Sequence, residues 1–146
     1  MLHHLSFSVS DINRSVKFYD AVLGALGYIR VWTYPNAVGY GFRSNEDKFA
    51  IKFQKHVIPP SQGFHVAFAA RSRGAVDNFY VAAIANGAKP GHDGIGSGIP
   101  KLRTKFGPNY YATFVTDLDG YQIEAVINKP DRPPSKRSLK KTPKKP

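Results

Sequence analysis

The sequence predicts an α+β domain built from two similar halves, and two observations support that fold class. The first is an internal repeat, in which HHLSFSVSDINRSVKFYDAVLGALG aligns with FHVAFAARSRGAVDNFYVAAIANGA and His4 corresponds to His65 at an offset of 61 residues. The second is that each of these segments changes from alternating apolar residues to apolar residues at helical spacing. Each half is therefore predicted to be a strand and a helix, completed by two or three further strands.

The first half is predicted to begin with a half-buried strand, because Leu5, Phe7 and Val9 alternate with serines. Asp11 is a good N-cap for the next helix, since its carboxylate can accept hydrogen bonds from free backbone N–H groups. Gly24 and Gly27 are both candidate stops for that helix. The apolar stripe between these ends consists of Val16, Tyr19, Val22, Leu23 and Leu26.

The second half repeats the pattern. Phe64, Val66 and Phe68 form the apolar set of its strand, Ser72 is the predicted N-cap, and Gly87 ends the helix. The apolar stripe of this helix consists of Val76, Phe79, Tyr80, Ala83 and Ile84.

A hairpin follows in each half, since AVGYGFRSNEDKFAIKF aligns with NYYATFVTDLDGYQIEAV at an offset of 72 residues. The turns are predicted at residues 45–48 and 117–120. The offset grows because the second half contains the insertion HDGIGSGIPKLRTKFG, which is rich in glycine and basic residues and is predicted to be a mobile loop. His92 in this insertion is a candidate to close over a ligand.

Strand alternation then predicts which side chains share a face. His4 lies on the face opposite to Leu5, and His65 lies on the corresponding face of the second strand. On the last strand, Gln122 and Glu124 are predicted to face the same cavity. Two imidazoles and a carboxylate form the ligand set of a facial triad, so His4, His65 and Glu124 are a candidate metal site.

Two more residues are predicted on that cavity from hairpin register. If Thr116 and Tyr121 flank the turn as a pair, Thr113 lies opposite Glu124 and Tyr111 shares its face.

The first hairpin contributes basic residues by the same alternation, which puts Lys52 and Arg43 on the open face. Both are candidates to bind an anionic group, or they are solvated residues at the rim of the cavity. Lys52 would act as a base if burial or a metal lowered its pKa.

Charge and composition narrow the function classes. The net charge is +11, but residues 129–146 contain eight basic residues, one aspartate and five prolines, and this segment is predicted to be a disordered tail. The tail predicts weak polyanion binding or solubilisation only. The absence of cysteine excludes thiolate metal sites and favours the cytoplasm, and no apolar run is long enough for a transmembrane helix.

The motifs together resemble those of the vicinal oxygen chelate superfamily, the group of glyoxalases, bleomycin-resistance proteins and extradiol dioxygenases. The resemblance rests on His4 with VSDINRSVKFYDAVLGALGY, on FHVAF, and on NYYATFVTDLDGYQIEAV. It implies two tandem βαβββ modules that form a curved, U-shaped mixed sheet with helices outside. It covers residues 1–128, with module one at about 1–57 and module two at about 63–128.

The resemblance also implies a function: a metal-dependent glyoxalase- or dioxygenase-like enzyme, homodimeric, that acts on a small oxygenated and anionic substrate. The substrate would chelate a divalent ion (Fe, Mn, Ni or Zn) through two oxygens, and the ion would stabilise an oxyanion. The expected metal ligands are His4, His65 and Glu124. The expected catalytic residues are Glu124, Tyr111 and Lys52, and the expected substrate-binding residues are Arg43, Lys52, Tyr111, Thr113 and Gln122.

Two alternatives follow from the same residues. Glyoxalase I-type members have a fourth ligand, a glutamate, where the alignment puts Lys52, and a protonated amine cannot ligate a metal. Classical lactoylglutathione lyase activity is therefore not expected. The family also includes metal-free proteins of the bleomycin-resistance type, so a small-molecule binding protein without cofactor is the second hypothesis.

Overall fold

The computed structural model describes residues 1–131 and contains two consecutive strand–helix–strand modules. The first module consists of β1 (Leu5–Val9), α1 (Ile12–Ala25), β2 (Ile29–Tyr34), β3 (Ala37–Arg43) and β4 (Glu46–Phe53). The second consists of β5 (Val66–Ala69), α2 (Arg73–Ala85), β6 (Lys89–Pro90), β7 (Lys101–Leu102), β8 (Tyr110–Thr116) and β9 (Gln122–Asn128). Most of the predicted basic tail, from residue 132 onwards, lies outside the described residues.

Each module has its own mixed sheet. The strand order is β1-β4-β3-β2 in the first sheet and β5-β9-β8-β6 in the second, where β7 also pairs with β8. In both sheets the opening strand is parallel to the last strand, and the other pairs are antiparallel. The predicted α+β class with two related modules is confirmed, and the predicted mixed sheet is divided between the modules.

The helices begin and end at the residues that the sequence predicted. The Asp11 carboxylate accepts from Arg14 N at 3.0 Å and caps α1, and the Ser72 hydroxyl accepts from Ala75 N at 3.1 Å and caps α2. After the helices, Gly27 and Gly87 have φ angles of 88° and 94°, a conformation that side chains with a Cβ rarely adopt.

The two modules share one core. The aromatic rings of Phe7 and Tyr121 stack with centroids 4.1 Å apart, and Tyr19 Oη donates to Asp117 at 2.5 Å. Ser10 N donates to Asp119 at 3.1 Å. All three contacts join module one to the turn between β8 and β9, so the first module holds the start of β9 in place.

The first hairpin turns earlier than predicted. Arg43 pairs with Glu46, so the turn consists of Ser44 and Asn45 and not of residues 45–48. Asn45 has a φ of 62°, a left-handed conformation that asparagine tolerates better than most residues. Two register shifts between β3 and β4 accompany this turn. Within the described residues, neither helix has the length and apolar character needed to cross a membrane.

Candidate metal and substrate site

A cavity of about 540 Å³ lies on the face of the second sheet that points away from the core. It is lined by residues of module two and of the linker before it. Aromatic rings form one part of its wall, namely Phe64, Phe106, Tyr110 and Phe114. Side chains with hydrogen-bonding groups form the other, among them His65, His92, Gln122 and Glu124.

Glu124 is the buried acidic residue at the base of this cavity. Its side chain is 1% exposed, whereas that of His65 is 45% exposed. Tyr110 Oη donates to Oε1 at 2.6 Å, and His65 Nε2 lies 3.2 Å from Oε2. Although that imidazole nitrogen is close, Oε2 accepts no well-directed hydrogen bond. One oxygen of the carboxylate is therefore satisfied and the other is left for a ligand.

The electrostatics of Glu124 follow from its burial. Removal from water raises the pKa of this carboxyl group, because burial penalises the charged form. The hydrogen bond from Tyr110 and the charge of His65 oppose the shift without cancelling it. A nearby cation would favour the charged form and relieve the penalty.

The parallel pairing of β5 with β9 brings these two residues together. Ala67 lies beside Glu124 in that register, and His65 immediately precedes β5. Gln122 lies two residues before Glu124 on the same strand and so shares its face. In the structure, His65, Gln122 and Glu124 all line this cavity.

The predicted register of the second hairpin was wrong by one residue. Thr116 pairs with Gln122, not with Tyr121, and Phe114 lies opposite Glu124. The reason is the turn: the Asp117 carboxylate accepts from the backbone N–H groups of Asp119 and Tyr121, which adds one residue to the loop.

Tyr111 and Thr113 are consequently on the opposite face from Glu124. Tyr111 Oη donates to Asp77 of α2 at 2.8 Å, and Thr113 Oγ1 donates to the carbonyl of Gly98 at 2.7 Å. Neither lines the cavity, so their predicted contact with substrate finds no support. Tyr110, on the other face of β8, is the tyrosine that contacts Glu124.

His4 is separate from this cavity within one chain. It is exposed, immediately precedes β1, and its Nδ1 lies 2.9 Å from Nδ1 of His3. Across residues 1–131, no three side chains of His, Asp or Glu are grouped closely enough to hold a metal ion. The single chain therefore brings together two of the three predicted ligands, and the three-ligand site stays a prediction.

Lys52 and Arg43 are exposed residues of the first sheet and do not line the cavity of their own chain. The sheet pairing also corrects the repeat alignment. Ser6 pairs with Ala50 and the corresponding Ala67 pairs with Glu124, so Ala50 and not Lys52 is equivalent to Glu124. The irregular β3–β4 register, absent between β8 and β9, produces this shift. Alanine has no ligating atom, so the position still offers no fourth ligand.

The insertion in module two, residues 92–107, was predicted to be mobile, but a buried ion pair holds it in place. Arg103 Nε donates to Asp93 at 2.8 Å, and each of these side chains is 2% exposed. The remaining guanidinium N–H groups donate to the backbone carbonyls of Ser97, Ile99, Lys101 and Ala112. We call this segment the strap.

The strap presents His92 to the cavity. The carbonyl of His92 accepts from Gln122 Nε2 at 2.8 Å, and its Nδ1 accepts from Gly94 N at 3.3 Å. With Nδ1 accepting, a neutral His92 keeps its proton on Nε2. The sequence offered no signal for the ion pair, because Arg103 lies among other basic residues in KLRTKFG.

We expect the Asp93–Arg103 ion pair of the strap to stabilise the fold at neutral pH and to lose this contribution in acid. Burial alone raises the pKa of Asp93, but hydrogen bonds from Ile95 N and Arg103 outweigh it, and the net pKa is lowered. Such a carboxylate stabilises the fold above the ordinary aspartate pKa of about 3.9, and this contribution is lost as the pH falls through the lowered value. In urea unfolding, Asp93→Asn should have a lower free energy of unfolding than wild type at neutral pH, and this difference should become smaller below about pH 4. Asp47→Asn removes a carboxylate from β4 of the first module and is the comparison variant.

The fold and the site together define a class of protein: a two-module βαβββ domain with an imidazole and a carboxylate at the base of a cavity. The profile of the Glyoxalase/Bleomycin resistance protein/Dioxygenase superfamily matches residues 1–125. The chain belongs to this superfamily. A comparison with curated protein sequences gives no match.

Solved structures agree with this assignment. A glyoxalase/bleomycin resistance protein from Albidiferax ferrireducens T118 is 30% identical, with a TM-score of 0.71 over 91% of this chain and 99% of its own. The fosfomycin resistance protein FosX from Listeria monocytogenes, a glutamine-for-glutamate variant in complex with Mn(II) and 1S,2S-dihydroxypropylphosphonic acid, has a TM-score of 0.62 at 14% identity. That match covers 88% of this chain and 90% of FosX, and it concerns the fold alone. FosX from Mesorhizobium loti gives a TM-score of 0.62 at 16% identity, over 88% of this chain and 92% of its own.

Proposed function

We propose that this protein is a metal-dependent enzyme that holds a divalent ion between His65 and Glu124. The observation that carries the proposal is the carboxylate oxygen Oε2 of Glu124, which is buried, accepts no hydrogen bond and lies 3.2 Å from His65 Nε2. A buried oxygen without a donor is costly to the fold, and a metal ion would satisfy it.

The residues present fit such an ion. An imidazole nitrogen and a carboxylate oxygen are ligands for Mn, Fe, Ni and Zn, and both side chains line one cavity. When bound, the ion would supply Lewis-acid stabilisation of the negative charge that develops on substrate oxygens. Tyr110 orients the carboxylate through its bond to Oε1.

We further propose that the active form is a homodimer in which His4 of one chain completes the site of the other. The cavity is lined by residues after position 59 only, so within one chain the first module contributes nothing to it. His4 is exposed and precedes β1, next to a sheet face on which Ser6 and Lys52 are also exposed. If this face covers the cavity of a second copy, His4 would be the third ligand.

A small oxygenated, anionic substrate fits this dimer. Among residues 1–131, no lysine or arginine of the same chain lines the cavity. Lys52 pairs with Ser8 on the exposed face of the first sheet and would supply a positive charge to the second copy's cavity. Gln122 already uses its amide nitrogen to hold His92, so its carbonyl oxygen is the group left for a substrate donor.

The alternative is a metal-free binding protein, which the aromatic lining of the cavity favours. In that case the His65–Glu124 contact is an ion pair of the cavity wall, and a flat organic ligand packs on the rings. The cytoplasmic location expected from the absence of cysteine stays a prediction in either case.

A measurement of metal binding distinguishes the metal-dependent enzyme from the metal-free binding protein. We expect the untagged wild type to bind about one Mn²⁺ or Zn²⁺ per chain, and His65→Ala to lower that affinity by about 100-fold or more, since even outer-shell partners contribute 10–100-fold. The measurements are elemental analysis after purification and calorimetric titration of the metal-free protein. His56→Ala removes an exposed histidine outside the cavity and is the matched control.

The same titration tests the dimer. His4→Ala should weaken metal binding as His65→Ala does, while each variant keeps the wild-type oligomeric state in sedimentation. Mixing the two variants should restore one normal site in each mixed dimer. A wild type that binds neither metal supports the binding-protein alternative instead.

A further inference from the structure

We propose that Tyr110 is a positioning residue for the metal, and that it acts by holding Glu124 as a ligand through one oxygen. The inference rests on the proposed metal function and goes beyond it, because it assigns a role to a side chain outside the ligand set. It starts from an asymmetry in the carboxylate: Oε1 accepts from Tyr110 Oη at 2.6 Å, while Oε2 accepts nothing and faces His65.

Strand geometry fixes this contact. Tyr110 pairs with Asn128 and Phe114 pairs with Glu124, so Tyr110 is on the same sheet face as Glu124, four residues along β8. Phe106 packs edge-on against the Tyr110 ring, with centroids 5.5 Å apart, and limits its rotation. The hydroxyl therefore reaches Glu124 from one side only, the side of Oε1.

The consequence concerns the geometry and charge of the ligand. A carboxylate that accepts a strong hydrogen bond on one oxygen binds a metal through the other, and its orientation is fixed before the ion arrives. Without the donor, both oxygens would be buried and unsatisfied, and burial of the ionised carboxylate would cost more free energy. Tyr110 therefore keeps Glu124 ready to bind a cation.

The neighbouring residue provides a matched control. Tyr111 also donates its hydroxyl to a carboxylate, that of Asp77 at 2.8 Å, but on the opposite face of the sheet. Tyr110→Phe and Tyr111→Phe remove the same atom from adjacent positions of one strand. Any effect on metal binding that is specific to the first variant comes from the contact with Glu124.

The experiment is a titration of the metal-free full chain with Mn²⁺ and separately with Zn²⁺. We expect Tyr110→Phe to bind each ion about 10–100-fold more weakly than wild type, as is typical for loss of an outer-shell partner. Tyr111→Phe should stay within about twofold of wild type. Circular dichroism and urea unfolding of the metal-free variants report the purely structural part of either change.

A second measurement needs no variant. In the Zn²⁺-loaded wild type, the Tyr110 hydroxyl proton should exchange slowly with water and give a resolved NMR signal. Equal affinities of Tyr110→Phe and wild type, or a freely exchanging hydroxyl in the Zn²⁺-loaded protein, would overturn the inference while leaving the metal site intact. A wild type that binds neither ion would overturn both the inference and the proposed function.

Discussion

Replacement of Glu124 by glutamine is expected to abolish metal binding and to leave the metal-free protein at least as stable as wild type. Glutamine has the same shape but no charge, so the ion loses its anionic ligand and its affinity should fall by about 100-fold or more. The carboxylate is buried, and burial raises its pKa, so near neutral pH its charged form costs the fold free energy. That penalty is absent below the ordinary glutamate pKa and complete above the raised one.

The expected change in the free energy of unfolding at pH 7 is therefore between zero and about +1 kcal/mol, measured by urea unfolding without metal. His65 is 45% exposed, so loss of its partner leaves no buried charge. The chain's other glutamate, Glu46, is exposed in the first hairpin, and Glu46→Gln is the matched control. A destabilised Glu124→Gln with unchanged metal affinity would make Glu124 a structural residue.

Replacement of Arg103 by methionine is expected to give the largest loss of stability. All five N–H groups of this buried guanidinium are used, one toward Asp93 and four toward backbone carbonyls of the strap and β8. Its removal leaves the buried Asp93 carboxylate with the half-exposed Lys101, whose Nζ lies 3.8 Å away, and breaking a buried ion pair typically costs about 3–5 kcal/mol. Urea unfolding measures the loss, and amide hydrogen exchange over residues 92–107 should show where the structure opens.

Lys105→Met is the control, because it removes an exposed positive charge from the same strap and should change stability by about 0.5 kcal/mol or less. The double variant Asp93→Asn with Arg103→Met should recover part of the loss, since it removes both charges. If Arg103→Met lost less than about 1 kcal/mol, the strap would not depend on this ion pair.

Sequence periodicity was sufficient to predict those parts of the site that depend on strand alternation and on the internal repeat. His65 and Glu124 were predicted on one face because each is the outward residue of a strand with clear apolar alternation. The structure brings them to 3.2 Å of each other. The helix caps at Asp11 and Ser72 were predictable for a similar local reason, since the capping side chain and the backbone N–H that donates to it are three residues apart.

Hairpin register was not predictable in this way, because it depends on hydrogen bonds inside the turn. The Asp117 side chain captures two backbone N–H groups and lengthens the loop by one residue. A shift of one residue exchanges the two faces of a strand. Tyr110, and not Tyr111, therefore shares the sheet face of Glu124. The shift of two residues in the first hairpin kept Lys52 on its predicted face but moved Ala50 to the position equivalent to Glu124.

Long-range polar contacts could not be predicted from sequence periodicity either. Arg103 and Asp93 are ten residues apart in a glycine-rich segment without periodicity, and nothing in the segment distinguishes Arg103 from Lys101 or Lys105. Whether His4 meets His65 depends on contacts between copies, which a single sequence does not specify.

Anomalous diffraction at the Mn or Zn absorption edge, from crystals of the metal-loaded full chain, would locate the metal ion. We expect one anomalous peak per chain, within ligand distance of His65 Nε2, of Glu124 Oε2 and of His4 from a second copy. Metal-loaded crystals with peaks only elsewhere, or with His65 and Glu124 in direct contact and no peak between them, would show that these residues do not form a metal site.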